Sequence, residues 1–189
     1  GRDMKIASVT TGDGQDIPWS VAETEPVRGD RLRLDLPAGT DVVEIAYRTA
    51  PGAVALGWLE PQQTAGGEHP FMFSQCQPIH ARTMVPCQDT PRHRVSYDAV
   101  IDVPAPLRAV MSAGDAGREE HGDRVAWKFA MPQAIPTYLL ALAVTGWLRE
   151  RILAGGRETG SATRALVAGG SDRFPSPPDY PLARVEALA

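Results

Sequence analysis

The stretch that decides the fold is VSYDAVIDVP, which runs from Val95 to Pro104. Apolar side chains alternate in it with mostly polar ones, and this period of two places successive side chains on opposite faces of a β-strand. Proline has no backbone N–H to donate to a neighbouring strand, so Pro104 is expected to close the strand. The segment therefore predicts a strand with one buried face and one solvent-exposed face.

The same pattern recurs on both sides of this strand. Further strands are predicted at Arg31–Leu36, Val43–Arg48, Phe71–Phe73 and Val125–Phe129, and a central strand, apolar on both faces, at Leu139–Val144. Segments rich in Gly and Pro separate them, and 114–122 is expected to be a solvated loop. The prediction is an all-β fold built from antiparallel sheet. Only two short helices are expected, at Pro78–Met84 and near Trp147–Ala154.

Composition favours one globular domain and excludes two classes of partner. The 189 residues are 43% hydrophobic and carry a net charge of −4, with no cluster of Lys and Arg. A protein that binds nucleic acid by neutralising phosphates would normally show a basic balance or stripe. The longest apolar stretch, Tyr138–Thr145, is far short of the roughly 20 residues that a membrane-spanning helix needs. We therefore predict neither a nucleic-acid partner nor a membrane span.

The two ends of the chain differ in character from its middle. We expect one ordered domain at 1–146 and a loosely ordered tail at 147–189, since the tail shows neither the helical nor the strand periodicity and is rich in Gly, Ala, Arg, Ser and Pro.

The chain begins Gly1-Arg2 rather than with a methionine and an apolar signal region. We therefore expect the true N-terminus, and any signal peptide, to lie outside it. The compartment is not indicated, and a cytoplasmic one is favoured.

The segment Glu68–Pro91 carries the residues of chemical interest. Two amides, Gln75 and Gln77, follow an apolar strand and lie two residues apart, which places them on one face of an extended segment. A carboxamide can accept from an amine and donate to a carbonyl at once, which suits a peptide end or an amide substrate. The alternative is that both side chains only satisfy the backbone of the loop.

The rest of this segment indicates scaffolding. Pro86 and Pro91 fix the backbone, while Asp89 is expected to cap a turn or to pair with Arg82, because an Arg–carboxylate pair orders a loop well. The two cysteines, Cys76 and Cys87, are expected to be buried free thiols.

These residues together resemble a known family. The sequence Gln75-Cys76-Gln77, followed by Ala81-Arg82 and by Pro86-Cys87 with Asp89 and Pro91, is similar to a signature of the N-terminal domain of gluzincin aminopeptidases. The resemblance extends over roughly Lys5–Gly146, and its wider pattern is similar to the leukotriene A-4 hydrolase and bifunctional aminopeptidase branch. That pattern comprises Thr49-Ala50-Pro51, Ala55 to Leu59, Pro61 to Thr64, Glu68-His69-Pro70 and Phe73 to Gln77.

The resemblance implies a saddle-like β domain that lies over a zinc-bearing catalytic domain. Gln75 and Gln77 then become substrate-binding residues for the free amino end of a peptide. Arg82, Pro86, Cys87, Asp89 and Pro91 become a structural motif. Pro78 departs from the small residue usual after the second amide, and it offers no N–H to a substrate.

The catalytic motif of the family is absent from this sequence. Zinc there is held by HExxH on a helix, because two His at i and i+4 share one face and the intervening Glu activates water. The four histidines are His69, His80, His93 and His121, and no two are four residues apart. We therefore predict no catalytic residue and no metal ligand in this chain. Zinc is expected as the cofactor of a full-length enzyme, and the missing catalytic domain as a partner.

Two functions follow as hypotheses. The favoured one is the substrate-binding part of a zinc aminopeptidase, inactive alone, in a chain that lacks the first strands of the domain and is a piece or a truncation of a longer protein. The alternative is a non-catalytic, stand-alone β module for binding or interaction, or an unstable truncated product.

Overall fold

A computed structural model describes residues 1–146, apart from the side chain of Glu23. It is mostly β-strand, 51%, and all strand pairs are antiparallel. This confirms the predicted all-β class. The predicted tail at 147–189 lies outside the described residues, and so does the helix predicted near Trp147–Ala154.

Eleven strands follow one another within residues 1–146. They are β1 (Lys5–Thr11), β2 (Trp19–Glu25), β3 (Gly29–Leu34), β4 (Val43–Arg48), β5 (Leu56–Leu59), β6 (Phe71–Ser74), β7 (Arg94–Pro104), β8 (Arg108–Met111), β9 (Gly114–His121), β10 (Arg124–Pro136) and β11 (Leu142–Thr145). In the same part of the chain, three single turns of 3-10 helix occur at Pro61–Gln63, Ala81–Thr83 and Thr137–Leu139.

The strands of the described residues form four antiparallel sheets. Two sheets are pairs, β1-β4 and β2-β3, while the larger ones have the orders β7-β10-β9 and β5-β6-β11-β8. Strand β11 is therefore interior to its sheet, as its two apolar faces indicated. Its register pairs Val144 with Met72 of β6 and with Ala109 of β8.

The main core lies where the two larger sheets contact each other. On β7 the alternation has the predicted effect, since Ala99, Ile101 and Val103 are all buried while Ser96 and Asp98 are exposed. The core as a whole contains Met72, Ala99, Ile101, Val103, Ala109, Val125, Trp127, Phe129, Leu142 and Val144. Burial of these apolar surfaces stabilises the two sheets against each other.

The segment expected to be a solvated loop is instead mainly a strand. Residues 114–121 form β9, the edge strand that pairs with β10, and every residue in it is exposed. An edge strand exposed on both faces buries no side chain, so its sequence shows no alternation. The turn is confined to Gly122 and Asp123, where Gly122 adopts a φ of +63° that favours glycine.

Two other boundaries differ from the sequence prediction. Within the predicted helix Pro78–Met84, only Ala81–Thr83 is helical, as a single 3-10 turn. The predicted strand Leu139–Val144 begins later, at Leu142, because Thr137–Leu139 forms a turn closed by the Leu140 N–H and the Thr137 carbonyl. A short apolar run does not by itself distinguish a strand from a buried turn.

Candidate functional site

The two predicted amides lie where β6 ends. Ser74 is the last residue of the strand, and Gln75 and Gln77 are both exposed while Cys76 between them is only 1% exposed. The chain therefore buries the central side chain and leaves the two flanking carboxamides accessible to a ligand. Each can accept and donate a hydrogen bond at the same time.

Backbone hydrogen bonds fix this segment from two sides. The Gln75 N–H donates to the Ala55 carbonyl over 2.7 Å, and the His80 N–H donates to the Cys76 carbonyl over 2.8 Å. The second bond closes a turn that begins at Gln77, where the peptide bond to Pro78 is cis. Both amides consequently project from a backbone that the rest of the domain holds in place.

The Cys76 side chain anchors the segment in a second, smaller core. It packs with Ala55, Ala81 and Met84, all of them buried. Desolvation, together with the nearby Asp89 carboxylate, raises the pKa of the Cys76 thiol to about 11. The thiol is therefore protonated near neutral pH and acts as an apolar anchor.

The second cysteine does not match the expectation of a buried thiol. Both cysteines are free, but Cys87 is exposed. It lies in the irregular segment between the 3-10 turn at Ala81–Thr83 and β7. A position in a surface loop leaves one side of the residue open to solvent.

Close to Cys76, Asp89 forms the centre of a buried polar network. It is 3% exposed, and its Oδ2 accepts from the backbone N–H of Arg82 over 3.1 Å and from the Arg82 Nε over 3.3 Å. The guanidinium also donates to the Asp89 carbonyl. Arg82 and Asp89 are therefore joined both through side chains and through the backbone.

A third member of the network, Thr137, was not predicted from the sequence. Its hydroxyl donates to Asp89 Oδ1 over 2.5 Å, and the residue is 1% exposed. Thr137 lies 48 residues further along the chain, so local patterning cannot reveal the contact. The only signal is a hydroxyl at the start of an apolar run, which needs a partner when it is buried.

The prolines of the motif lie on either side of this network. Pro86 is half-buried, while Pro91 is exposed just before β7 begins at Arg94. Both fix φ in the loop that carries Asp89.

The described residues do not fit a zinc ion. Among residues 1–146, no group of three or more His, Cys, Asp or Glu side chains could hold a metal. His121 lies on β9 and contacts Asp102 Oδ1 through Nε2 at 2.9 Å, while Arg124 Nε contacts Oδ2 of the same carboxylate. Asp102 is thus committed to an ion-pair cluster on the outer face of the sheet. Over the same part of the chain, no helix is long and apolar enough to cross a membrane.

Comparisons with known proteins agree with this arrangement. The sequence profile of the peptidase M1 N-terminal domain matches residues 4–139. Leukotriene A-4 hydrolase from Xenopus laevis is 38% identical over 151 residues, covering 76% of this chain and 25% of that protein. Leucine aminopeptidase 2 from Pyricularia oryzae is 37% identical over 147 residues, which cover 74% of this chain and 24% of that protein.

A solved structure shows the same similarity in three dimensions. Native yeast leukotriene A4 hydrolase superimposes with a TM-score of 0.65 at 31% sequence identity, over 76% of this chain and 22% of that one. The chain therefore spans about a quarter of the length of the curated relatives it matches.

Proposed function

Since the chain belongs to the peptidase M1 N-terminal domain family, we propose that it binds the amino end of peptide substrates for a zinc-dependent aminopeptidase of the leukotriene A-4 hydrolase type. Gln75 and Gln77 are the residues that contact the substrate. The reaction itself, removal of the N-terminal residue, takes place in a catalytic domain that this sequence does not contain. On its own the chain is inactive.

One observation carries this proposal. Two carboxamides are exposed on either side of a buried cysteine, on a segment fixed by the hydrogen bonds of Gln75 and His80. A free peptide amine has donors for the two side-chain oxygens, and the first carbonyl of the peptide can accept from a side-chain NH2. Because the segment is already ordered, little conformational entropy is lost on binding.

The metal belongs to the other domain in this scheme. Homologous M1 enzymes are zinc metallopeptidases, whereas the full sequence has no HExxH and the described residues present no metal-binding group. A zinc ion held elsewhere supplies Lewis-acid chemistry and an activated water. The present residues contribute binding and orientation of the peptide end.

Substitution of the amides tests the proposal directly. The experiment compares the affinity of the 189-residue chain for the tripeptide Leu-Ala-Ala with that for its N-acetylated form, by NMR titration of the glutamine side-chain amides. The free-amine peptide should bind more tightly, and Q75A or Q77A should each weaken it by about tenfold, as expected for loss of one or two polar contacts. Gln88, exposed in the same region, provides the matched control, so Q88A should bind as the wild type does.

Equal binding of the free and acetylated peptides, or unchanged affinity in both glutamine variants, would contradict the proposal. In an intact enzyme the same substitutions should raise KM more than they lower kcat, because a contact made in ground and transition states alike acts on binding. The mass of the native product tests the missing domain. A species far heavier than 20.3 kDa, detected through a peptide of Glu68–Pro91, is expected.

A second candidate is a non-catalytic β module that binds another protein. The β2–β3 hairpin favours it, since Trp19 and Val21 on β2 are 39% and 50% exposed and Leu36, just beyond β3, is 51% exposed. Exposed apolar side chains in a cluster often mark an interaction surface. A native mass of 20.3 kDa with a monodisperse, folded chain would favour this function, and aggregation would indicate an unstable truncated product.

A further inference from the structure

Asp89 is buried and interacts electrostatically with Cys76, the residue between the two amides, and the proposed substrate contact makes no use of it. Its carboxylate accepts two hydrogen bonds from Arg82 on Oδ2 and one from Thr137 on Oδ1. With exposures of 3% and 1%, neither Asp89 nor Thr137 can touch a ligand. A buried carboxylate is costly unless it is fully hydrogen-bonded, so these donors fix both its position and its orientation.

A continuous series of contacts leads from Asp89 to the segment with the amides. The Arg82 N–H that bonds to Asp89 lies in the 3-10 turn Ala81–Thr83. The residue just before that turn, His80, donates its N–H to the Cys76 carbonyl over 2.8 Å. Cys76 also packs its side chain against Ala81. Any shift of the turn would consequently move the backbone between the two glutamines.

A second connection joins the same turn to the other side of the segment. The Thr83 hydroxyl accepts from the Ala55 N–H over 3.0 Å, and the Ala55 carbonyl accepts from the Gln75 N–H over 2.7 Å. The turn Ala81–Thr83 therefore contacts the amide segment through two separate routes. Asp89 links Arg82, the middle residue of that turn, to Thr137, which precedes β11.

We propose that Asp89 and Thr137 are positioning residues for the peptide's amino end, acting through the turn Ala81–Thr83 on Gln75 and Gln77. This inference rests on the proposed function of the two glutamines and adds to it the buried pair that fixes their geometry. Loss of the Thr137 hydroxyl leaves Oδ1 without its donor, so the carboxylate rotates or recruits water and the turn loosens. Displacements of this kind, of 1 Å or less, are sufficient to weaken a preorganised site.

Two variants of Thr137 separate positioning from general stability. T137V keeps the shape of the side chain and removes the hydroxyl, while T137S keeps the hydroxyl. The first readout uses no ligand and is the hydrogen exchange of backbone amides in the 189-residue chain. T137V should speed exchange of the Gln75 and His80 N–H by about tenfold and leave that of Trp127 in β10 unchanged, and T137S should match the wild type in all three.

The second readout is the affinity for Leu-Ala-Ala, with the N-acetylated peptide as reference. T137V should weaken binding about fivefold to tenfold, and T137S less than twofold. Unchanged exchange at Gln75 and His80 overturns the inference, as does faster exchange without weaker binding, which would show a structural role only. If the wild type does not discriminate the two peptides, the proposed function itself fails. T137A replaces T137V if the latter does not fold, with the same expectations.

Discussion

The ring of Phe73 occupies the space that a side chain at residue 57 would need. Gly57 on β5 pairs with Phe73 on β6, and a Cβ placed at Gly57 would lie 2.4 Å from the Phe73 Cζ. Such a distance is far inside van der Waals contact. The ring also stacks on Phe71, with centroids 5.7 Å apart. Glycine at this position therefore allows a large aromatic side chain to lie against the sheet, one residue before the end of the strand that leads to Gln75.

G57A should destabilise the domain by about 1–3 kcal/mol, the usual cost of overpacking. Ordinarily a Gly-to-Ala change in a strand is neutral or favourable. A loss of stability in G57A would therefore indicate a clash between the new methyl group and the Phe73 ring. Gly52, which has no atom within 4 Å of a Cβ position, provides the control, and G52A should change stability by less than about 0.5 kcal/mol. Urea denaturation measures both, and equal stability of the two variants would contradict this account of Phe73.

The Asp89 network predicts a larger loss of stability. D89A removes the acceptor of Arg82 and Thr137 and leaves the guanidinium, 15% exposed, without its carboxylate. Breaking a buried pair by deleting one partner costs about 3–5 kcal/mol. Asp41, exposed in a loop, is the matched control, and D41A should lie within about 0.5 kcal/mol of the wild type. A loss below about 1 kcal/mol in D89A would show that the network contributes little.

The contrast between β7 and β9 shows which strands a sequence can reveal. On β7, Ala99, Ile101 and Val103 contact the facing sheet. Because every second side chain is buried there, apolar residues recur in the sequence with a period of two. On β9 every side chain is exposed, and the strand exists because β10 is paired with it. Hydrogen bonds between backbones carry no sequence pattern, and the sequence therefore predicts a loop at this position.

In the candidate site, too, the sequence indicates some residues and only the fold reveals others. Gln75, Gln77 and Asp89 are close in sequence, and a short motif was enough to single them out. Thr137 is 48 residues from Asp89 and only the folded chain brings the two together. The exposure of Cys87 could not be predicted either. Loops have no regular alternation of buried and exposed positions, so the sequence does not indicate on which side of the loop this cysteine lies.

Two arginines that contact Trp127 lead to a third prediction. The guanidinium carbons of Arg108 and Arg118 lie 4.9 and 5.3 Å from the centre of the Trp127 ring, and the tryptophan is 6% exposed. A cation over an indole face contributes about 0.5–1 kcal/mol at partly exposed sites. R108M, which keeps most of the aliphatic length and removes the charge, should lower the free energy of unfolding by about that amount.

Arg33 is the control for this charge effect, because its side chain is exposed on β3. R33M should not change stability measurably, so a difference between the two variants in urea denaturation isolates the ring contact. If R108M and R33M have the same free energy of unfolding, Arg108 covers Trp127 without stabilising the domain.

The two free cysteines provide a prediction about access and pH. Desolvation raises the pKa of the buried Cys76 thiol from 9.0 to about 11. Alkylation requires the thiolate, so Cys76 reacts slowly at pH 8. Exposure then decides the order, because Cys87 is exposed and Cys76 is 1% exposed. Iodoacetamide followed by peptide mass spectrometry should find Cys87 modified first, and Cys76 only after unfolding in urea.

The raised pKa of Cys76 sets the sign of its contribution to the alkaline pH dependence. Above pH 9 the unfolded chain loses this thiol proton, while the folded chain keeps it up to about pH 11. The unfolded state then binds fewer protons, so the free energy of unfolding falls as pH rises through this range. C76A removes one of the titrating groups and should flatten the decline between pH 9 and pH 11. Modification of Cys76 at the same rate as Cys87 in the folded chain would show that the segment between the two glutamines opens to solvent, contrary to the fixed geometry that the proposed substrate binding requires.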